Sequence, residues 1–144
     1  HDLCIVSGSV EENTNATINA IMNPRIDIIG HPDDGRFPMD LEKVVHYAKK
    51  YKTLLEVNNN SLKPGGSRVG ADKNVREFLT YCKKLNVPVI LNSDAHVFSD
   101  VGRNDYSIPL VKEMDFPEEL IVNRSVEAFK AALADKRNTF LYNK

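Results

Sequence analysis

Val87-Pro88-Val89-Ile90-Leu91 runs directly into Asn92-Ser93-Asp94-Ala95-His96. The first five residues form a short continuous apolar run, and such a run predicts a buried strand. Where that strand should stop, a carboxylate and an imidazole follow two residues apart. In an extended chain residues i and i+2 point to one side, so Asp94 and His96 are expected to converge just beyond the strand. An Asp oxygen and a His nitrogen are usable ligands for zinc, manganese or iron. The same residue types also suit a turn closed by an Asx hydrogen bond with a solvated histidine, so the stretch must be read in its context.

The same pattern recurs on both sides. Leu3-Cys4-Ile5-Val6, Ile26-Asp27-Ile28-Ile29 and Leu54-Leu55-Glu56-Val57 precede it, and Leu120-Ile121-Val122 follows it. Each reads as a strand, giving five in all. Between them the spacing predicts helices. One spans about 12–23, with Ala16, Ala20 and Ile21 on one face and Pro24 ending it. Asp40 reads as the N-cap of the next, with Leu41, Val44, Val45 and Ala48 inward and Lys49, Lys50 and Lys52 at the favourable end of its dipole. Asp72 reads as the cap of a third, whose core face is Val75, Phe78, Leu79 and Cys82. A short helix is expected from 107 or 109 to 114. Ser125 caps the last, which carries Val126, Phe129, Ala132 and Leu133.

Strand, loop and helix alternate, and the strands are continuous apolar runs, which is the pattern of a parallel sheet covered on both faces. The polar clusters Gly30-His31, Asn58-Asn59-Asn60 and Asp94-Ala95-His96 all follow strand ends. The fold class is α/β, and both a β/α barrel and an open doubly wound sheet gather their sites at the carboxyl ends of strands. A whole eight-stranded barrel takes roughly 250 residues, and this chain has 144. With a first residue that is not Met, the expectation is one domain, 1–144, forming part of a barrel whose amino-terminal portion lies elsewhere.

Lys and Arg number 19 against 20 Asp and Glu, a net charge of −1, which argues against nucleic-acid binding by bulk electrostatics. No apolar run approaches a membrane span, and no secretory signal opens the sequence. Cys4 and Cys82 fall in apolar runs and read as small buried hydrophobes, consistent with a reducing cytoplasm.

Four separated motifs resemble the polymerase and histidinol phosphatase (PHP) superfamily, most closely its YcdX-like phosphatase branch. Asn92-Ser93-Asp94-Ala95-His96 is similar to the family's last metal motif. Ile28-Ile29-Gly30-His31-Pro32 is similar to its strand ending in His-Pro, and Leu55-Glu56-Val57-Asn58-Asn59 and Met114-Asp115-Phe116-Pro117 match later family segments in order. The resemblance implies a distorted (β/α)7 barrel and a cluster of divalent metal ions, zinc with manganese or iron as alternatives. By position His31, Asp94 and His96 would be metal ligands. It implies hydrolysis of the phosphate monoester of a small phosphorylated substrate by a metal-activated water. The sequence departs from the family in two places. The His-x-His strand and the His and Glu ligands that follow it are not in this chain. Ser7-Gly8-Ser9 stands where the family places a histidine, leaving open whether that histidine is absent or a loop is. Two other readings remain: a metal-dependent carbon–nitrogen hydrolase on a similar barrel, and a non-catalytic fragment.

Among single residues, Pro32 should push His31 to an extended backbone. Arg68, in a glycine-rich loop, and Arg103, shortly after His96, are the candidate substrate-binding residues, because a guanidinium pairs bidentately with phosphate; a solvated loop arginine is the alternative for each. Asn58, Asn59 and Asn60 could line the site or only end a strand, and Glu56 sits inside a strand facing an undetermined side. His46 falls off the apolar stripe of its helix and reads as solvated.

Overall fold

The computed structural model describes residues 8–141; the expected strand at 3–6 and Cys4 lie outside them. Helix α1, Val10–Ile21, begins at a capping box in which Glu12 N–H donates to Ser9 Oγ and Ser9 N–H to Glu12 Oε2, satisfying two amides that a helix start leaves bare. Its buried face is Thr14, Ile18 and Ile21, not the expected Ala16 and Ala20. The Thr14 hydroxyl receives the N–H of Asp40 at 2.9 Å, so a polar side chain is useful there.

Strand β1 is short, Ile28–Ile29. Asp40 caps α2, Leu41–Tyr51, by accepting the Lys43 N–H, and Leu41, Val44, Val45 and Ala48 are buried as their spacing predicts. Strand β2, Leu54–Asn58, is buried along its whole length. Helix α3, Ala71–Leu85, starts at Gly70, whose φ of +65° is left-handed. Glycine adopts that conformation without a steric penalty, so the turn falls there. Asp72, expected as the cap, instead lies in the first turn and pairs with Arg76 at 3.1 Å. Strand β3 is Val89–Asn92, followed by α4, Ser107–Glu113, and α5, Val126–Leu141. Ser125 caps α5 by accepting the Ala128 N–H.

The three strands form one parallel sheet in the order β1-β2-β3, with Ile29 opposite Leu55 and Asn58 opposite Asn92. The expected strand at 120–122 is not formed. Ile121 makes a single parallel bridge to Val89, between two 3₁₀ turns. The Asn123 side chain does the pairing there: it accepts the Leu91 N–H at 3.1 Å and donates to the Leu91 carbonyl at 2.6 Å. One amide group thus occupies the ladder positions of a neighbouring strand.

Alternation along the strands divides the sheet into two unlike faces. Leu55, Val57, Val89 and Leu91 pack with α2 and α3 in the main core, around Val44, Val45, Phe78 and Leu79. Leu54 and Ile90 form a smaller cluster with Val122, against which Ile28 and Phe129 and Ala132 of α5 rest. Val126, expected on the inner face of α5, is exposed. The most buried residue of α5 is instead Lys136, which donates to the Ile21 carbonyl at 2.9 Å and to the Thr53 hydroxyl.

Candidate functional site

Parallel strands bring their carboxyl ends to one edge, so the loops that follow them share it. His31 lies just beyond β1, Asn58 ends β2, and Asp94 and His96 lie just beyond β3. The three residues that the sequence singles out as metal ligands are therefore gathered at one end of the sheet.

Glu56 ties this edge together. It lies on the smaller-cluster face of β2 and is buried. Its Oε2 accepts the His31 backbone N–H at 2.6 Å and the Asn58 side-chain amide at 3.1 Å, and its Oε1 accepts the Asn92 amide at 2.9 Å. One carboxylate thus joins the ends of all three strands. His31 is not extended as Pro32 suggested; its φ is +34°, in the region that L residues avoid. The short bond to Glu56 shows what that conformation accomplishes: it delivers the His31 N–H to a buried acceptor.

Asp94 is also left-handed, with φ +51°, so the Asp-x-His pair is not extended as expected. Asp94 Oδ2 receives Arg68 Nη1 at 3.1 Å. Partial burial pushes the Asp94 carboxyl up, but hydrogen bonds from Arg68 and Asn58, with the charges of Arg68 and His96, outweigh it and hold it below its ordinary value. His96 is exposed, and its Nδ1 stands 2.8 Å from the Asp94 carbonyl. A carbonyl only accepts, so Nδ1 carries a proton, and when the ring is neutral the Nε2 lone pair is left for another partner.

Arg68 is largely withdrawn from solvent, its side chain 9% exposed. Arg103 stands beside this edge, lining a hollow with Asn59, Asn60 and Ser93, but its guanidinium is engaged within its own loop. Its Nε and Nη2 donate to Asp105 at 2.9 and 2.6 Å, and Asp100 stands 3.7 Å away, all on an exposed loop. Asn59 has a structural role, because its Oδ1 accepts the N–H groups of Tyr106 and Ser107 at 2.8 and 3.0 Å, at the start of α4. His46 is exposed on α2, as its position off the stripe predicts.

Sequence reading did not separate Asp33 from its neighbour Asp34, yet their environments are opposite. Asp34 is gripped by Arg36 through a fork of 3.0 and 2.5 Å contacts. Burial raises its carboxyl, but Arg36 outweighs that and holds it low. Asp33 is completely buried, and burial pushes its carboxyl above the ordinary range against the weaker pull of Ser61, Arg68 and His31. The signal available for Glu56 was a carboxylate inside an apolar strand; for Asp33 the sequence offers none.

As donors for a divalent cation, Asp94, His96 and His31 are of suitable chemistry: a hard oxygen and two imidazoles. Among the described residues, no three His, Cys, Asp or Glu side chains stand close enough to share one ion. The donor types fit, then, without forming a closed shell by themselves. Also among the described residues, no helix is long and apolar enough to cross a membrane.

No family model matches the chain. It is similar to proteins named "probable phosphatase" in several bacteria. That of Acetivibrio thermocellus is 42% identical over 137 residues, 95% of this chain and 56% of the relative. That of Caldicellulosiruptor bescii is 46% identical over 129 residues, 90% of this chain and 52% of the relative. That of Clostridium acetobutylicum is 42% identical over 135 residues, 91% of this chain and 54% of the relative. The chain spans about half the length of the curated relatives it matches, and over nearly all of its own length it is similar to proteins named as phosphatases.

Proposed function

We propose that the chain is part of a metal-dependent phosphoesterase of the PHP type, acting on the phosphate monoester of a small substrate. The observation that carries this reading is the gathering of His31, Asp94 and His96 at the carboxyl edge of a parallel sheet, in a chain similar to proteins named "probable phosphatase". The barrel is the architecture that would bring the remaining ligands to the same edge.

When bound, the cation supplies charge that steadies phosphoryl oxygens and acidifies a water molecule. Asp94 would hold it through a carboxylate oxygen, and His96 through Nε2, with Nδ1 fixed on the Asp94 carbonyl. His31 would add a second imidazole, its backbone anchored by Glu56. Such an anchor holds a ligand's orientation before the cation arrives. Arg68, already at this edge, is the guanidinium in position to meet a phosphate, whereas Arg103 is occupied by its own loop.

The test is to express the gene's full translation product, strip it with a chelator, and follow phosphate release from p-nitrophenyl phosphate. The expected result is loss of turnover on stripping and recovery with Zn2+ or Mn2+. Undiminished turnover after stripping would remove metal dependence, and no turnover with either metal would argue against a phosphoesterase.

A further inference from the structure

Two loops at the carboxyl edge meet backbone to backbone. The N–H of Gly35, in the loop that carries His31, donates to the carbonyl of Val69, in the loop that carries Arg68, at 2.8 Å. Among the described residues, this is the only backbone hydrogen bond that ties residues 64–69 to another segment. Packing does not hold Val69, which is 62% exposed; its carbonyl does.

The contact leaves no room for a side chain at position 35. A Cβ there would stand 2.4 Å from the Val69 oxygen and 3.3 Å from the Val69 carbonyl carbon, inside the separation at which non-bonded atoms attract. Those atoms are backbone, so no rotamer change relieves the clash. Gly35 is not among the residues with positive φ; glycine is needed here for the close approach, not for its conformational freedom. The other side of the joint is held as well. Asn74 of α3 donates its side-chain amide to the Asp33 carbonyl at 2.9 Å, which keeps the Gly35 loop in place. An alanine at position 35 would therefore push away the loop of Val69.

What that displacement changes is Arg68, the adjacent residue. Its side chain is 9% exposed and its Nη1 rests on Asp94 at 3.1 Å. An exposed arginine absorbs a backbone shift by changing rotamer, whereas one enclosed by packed neighbours has no such room. We propose that Gly35 is a positioning residue for phosphate: by admitting the Val69 carbonyl it sets where the Arg68 guanidinium stands, and with it the affinity for the oxygens of a phosphate monoester. This rests on the reading of Arg68 as the phosphate contact and goes beyond it by naming what holds that contact in place. The same hydrogen bond fixes the spacing between the His31 loop and the Arg68 loop. Binding groups gain from such fixed spacing because no ordering remains to be done when the ligand arrives.

The experiment measures inorganic phosphate binding by calorimetry, together with kcat and KM for p-nitrophenyl phosphate, in the full translation product. Gly35→Ala should weaken phosphate binding and raise KM about tenfold, the effect of losing one hydrogen bond to a charged group. Its kcat should stay within about twofold, because the interaction lost is made with bound substrate and transition state alike. In an Arg68→Met background Gly35→Ala should weaken binding no further, which is the signature of coupling in a double-mutant cycle. Denaturant midpoints verify that each protein is folded. Should Gly35→Ala fail to fold, Asn74→Ala loosens the same joint from the α3 side and gives the same reading with a smaller shift. A folded Gly35→Ala protein with unchanged phosphate affinity would overturn the proposal while leaving the phosphoesterase reading intact. A loss that persists undiminished in the Arg68→Met background would do the same. Normal phosphate binding by Arg68→Met would remove Arg68 as the contact, and this proposal with it. An unsubstituted protein that neither binds phosphate nor hydrolyses the ester with Zn2+ or Mn2+ would overturn the phosphoesterase reading itself.

Discussion

Glu56, on the central strand, accepts the backbone N–H of His31 at 2.6 Å while its other oxygen holds Asn92 of the third strand. The neutral donors around this buried carboxylate are the ends of the sheet, so one side chain sets the spacing of the edge.

Replacing Glu56 tests what this arrangement holds. Glu56→Ala leaves the His31 N–H and two side-chain amides without their acceptor, and unsatisfied buried groups of this kind cost about 1–3 kcal/mol. Glu56→Gln retains one carbonyl acceptor for His31, and Asn92 can turn its amide over to accept from the new side chain, so most of the loss is recovered. Denaturant midpoints check both: the order of stability should be Glu, then Gln, then Ala. Equal midpoints for all three would mean that the edge does not depend on this carboxylate.

Lys136 gives a pH-dependent prediction at the opposite end of the sheet. It is 1% exposed, and burial lowers its ammonium below the ordinary lysine value, against the weaker opposing pull of Asp27. In the unfolded chain the ammonium keeps its proton up to the ordinary value of 10.5. Between the lowered folded value and 10.5, the unfolded state binds more protons, so this group makes stability rise with pH across that window. Below the window its buried charge is a constant cost. Lys136→Met should remove the alkaline rise. At neutral pH it should change stability by no more than about 1 kcal/mol, because the Ile21 carbonyl still accepts the Thr53 hydroxyl at 2.9 Å. Denaturant midpoints between neutral and alkaline pH test this; an unchanged slope in Lys136→Met would contradict it.

The α/β pattern, the order of elements and the carboxyl-edge placement of His31, Asp94 and His96 were legible in the sequence because they follow from apolar periodicity and from where polar residues interrupt it. The strand expected at 120–122 was not formed, because an apolar triplet does not reveal that Asn123 will take the ladder positions on Leu91. The cap at Asp72 failed because Gly70 offered the left-handed turn two residues earlier. The left-handed backbone of His31 was missed because its partner, Glu56, is distant in sequence, and that of Asp94 because residue type alone left both an extended pair and a turn open. The contrast between Asp33 and Asp34 was invisible for the same reason: adjacent and identical, they differ only in what tertiary packing places around them.

The most direct test of the metal-site assignment is to compare bound metal and phosphate release in Asp94→Asn and His46→Ala, each made in the full translation product. Asp94→Asn keeps the side chain's size but removes the charge that would hold a cation, whereas His46 is exposed on α2. Metal affinity should be about 10–100-fold weaker in Asp94→Asn, with phosphate release falling alongside it, and both should be unchanged in His46→Ala. Normal metal content and normal turnover in Asp94→Asn would contradict the assignment.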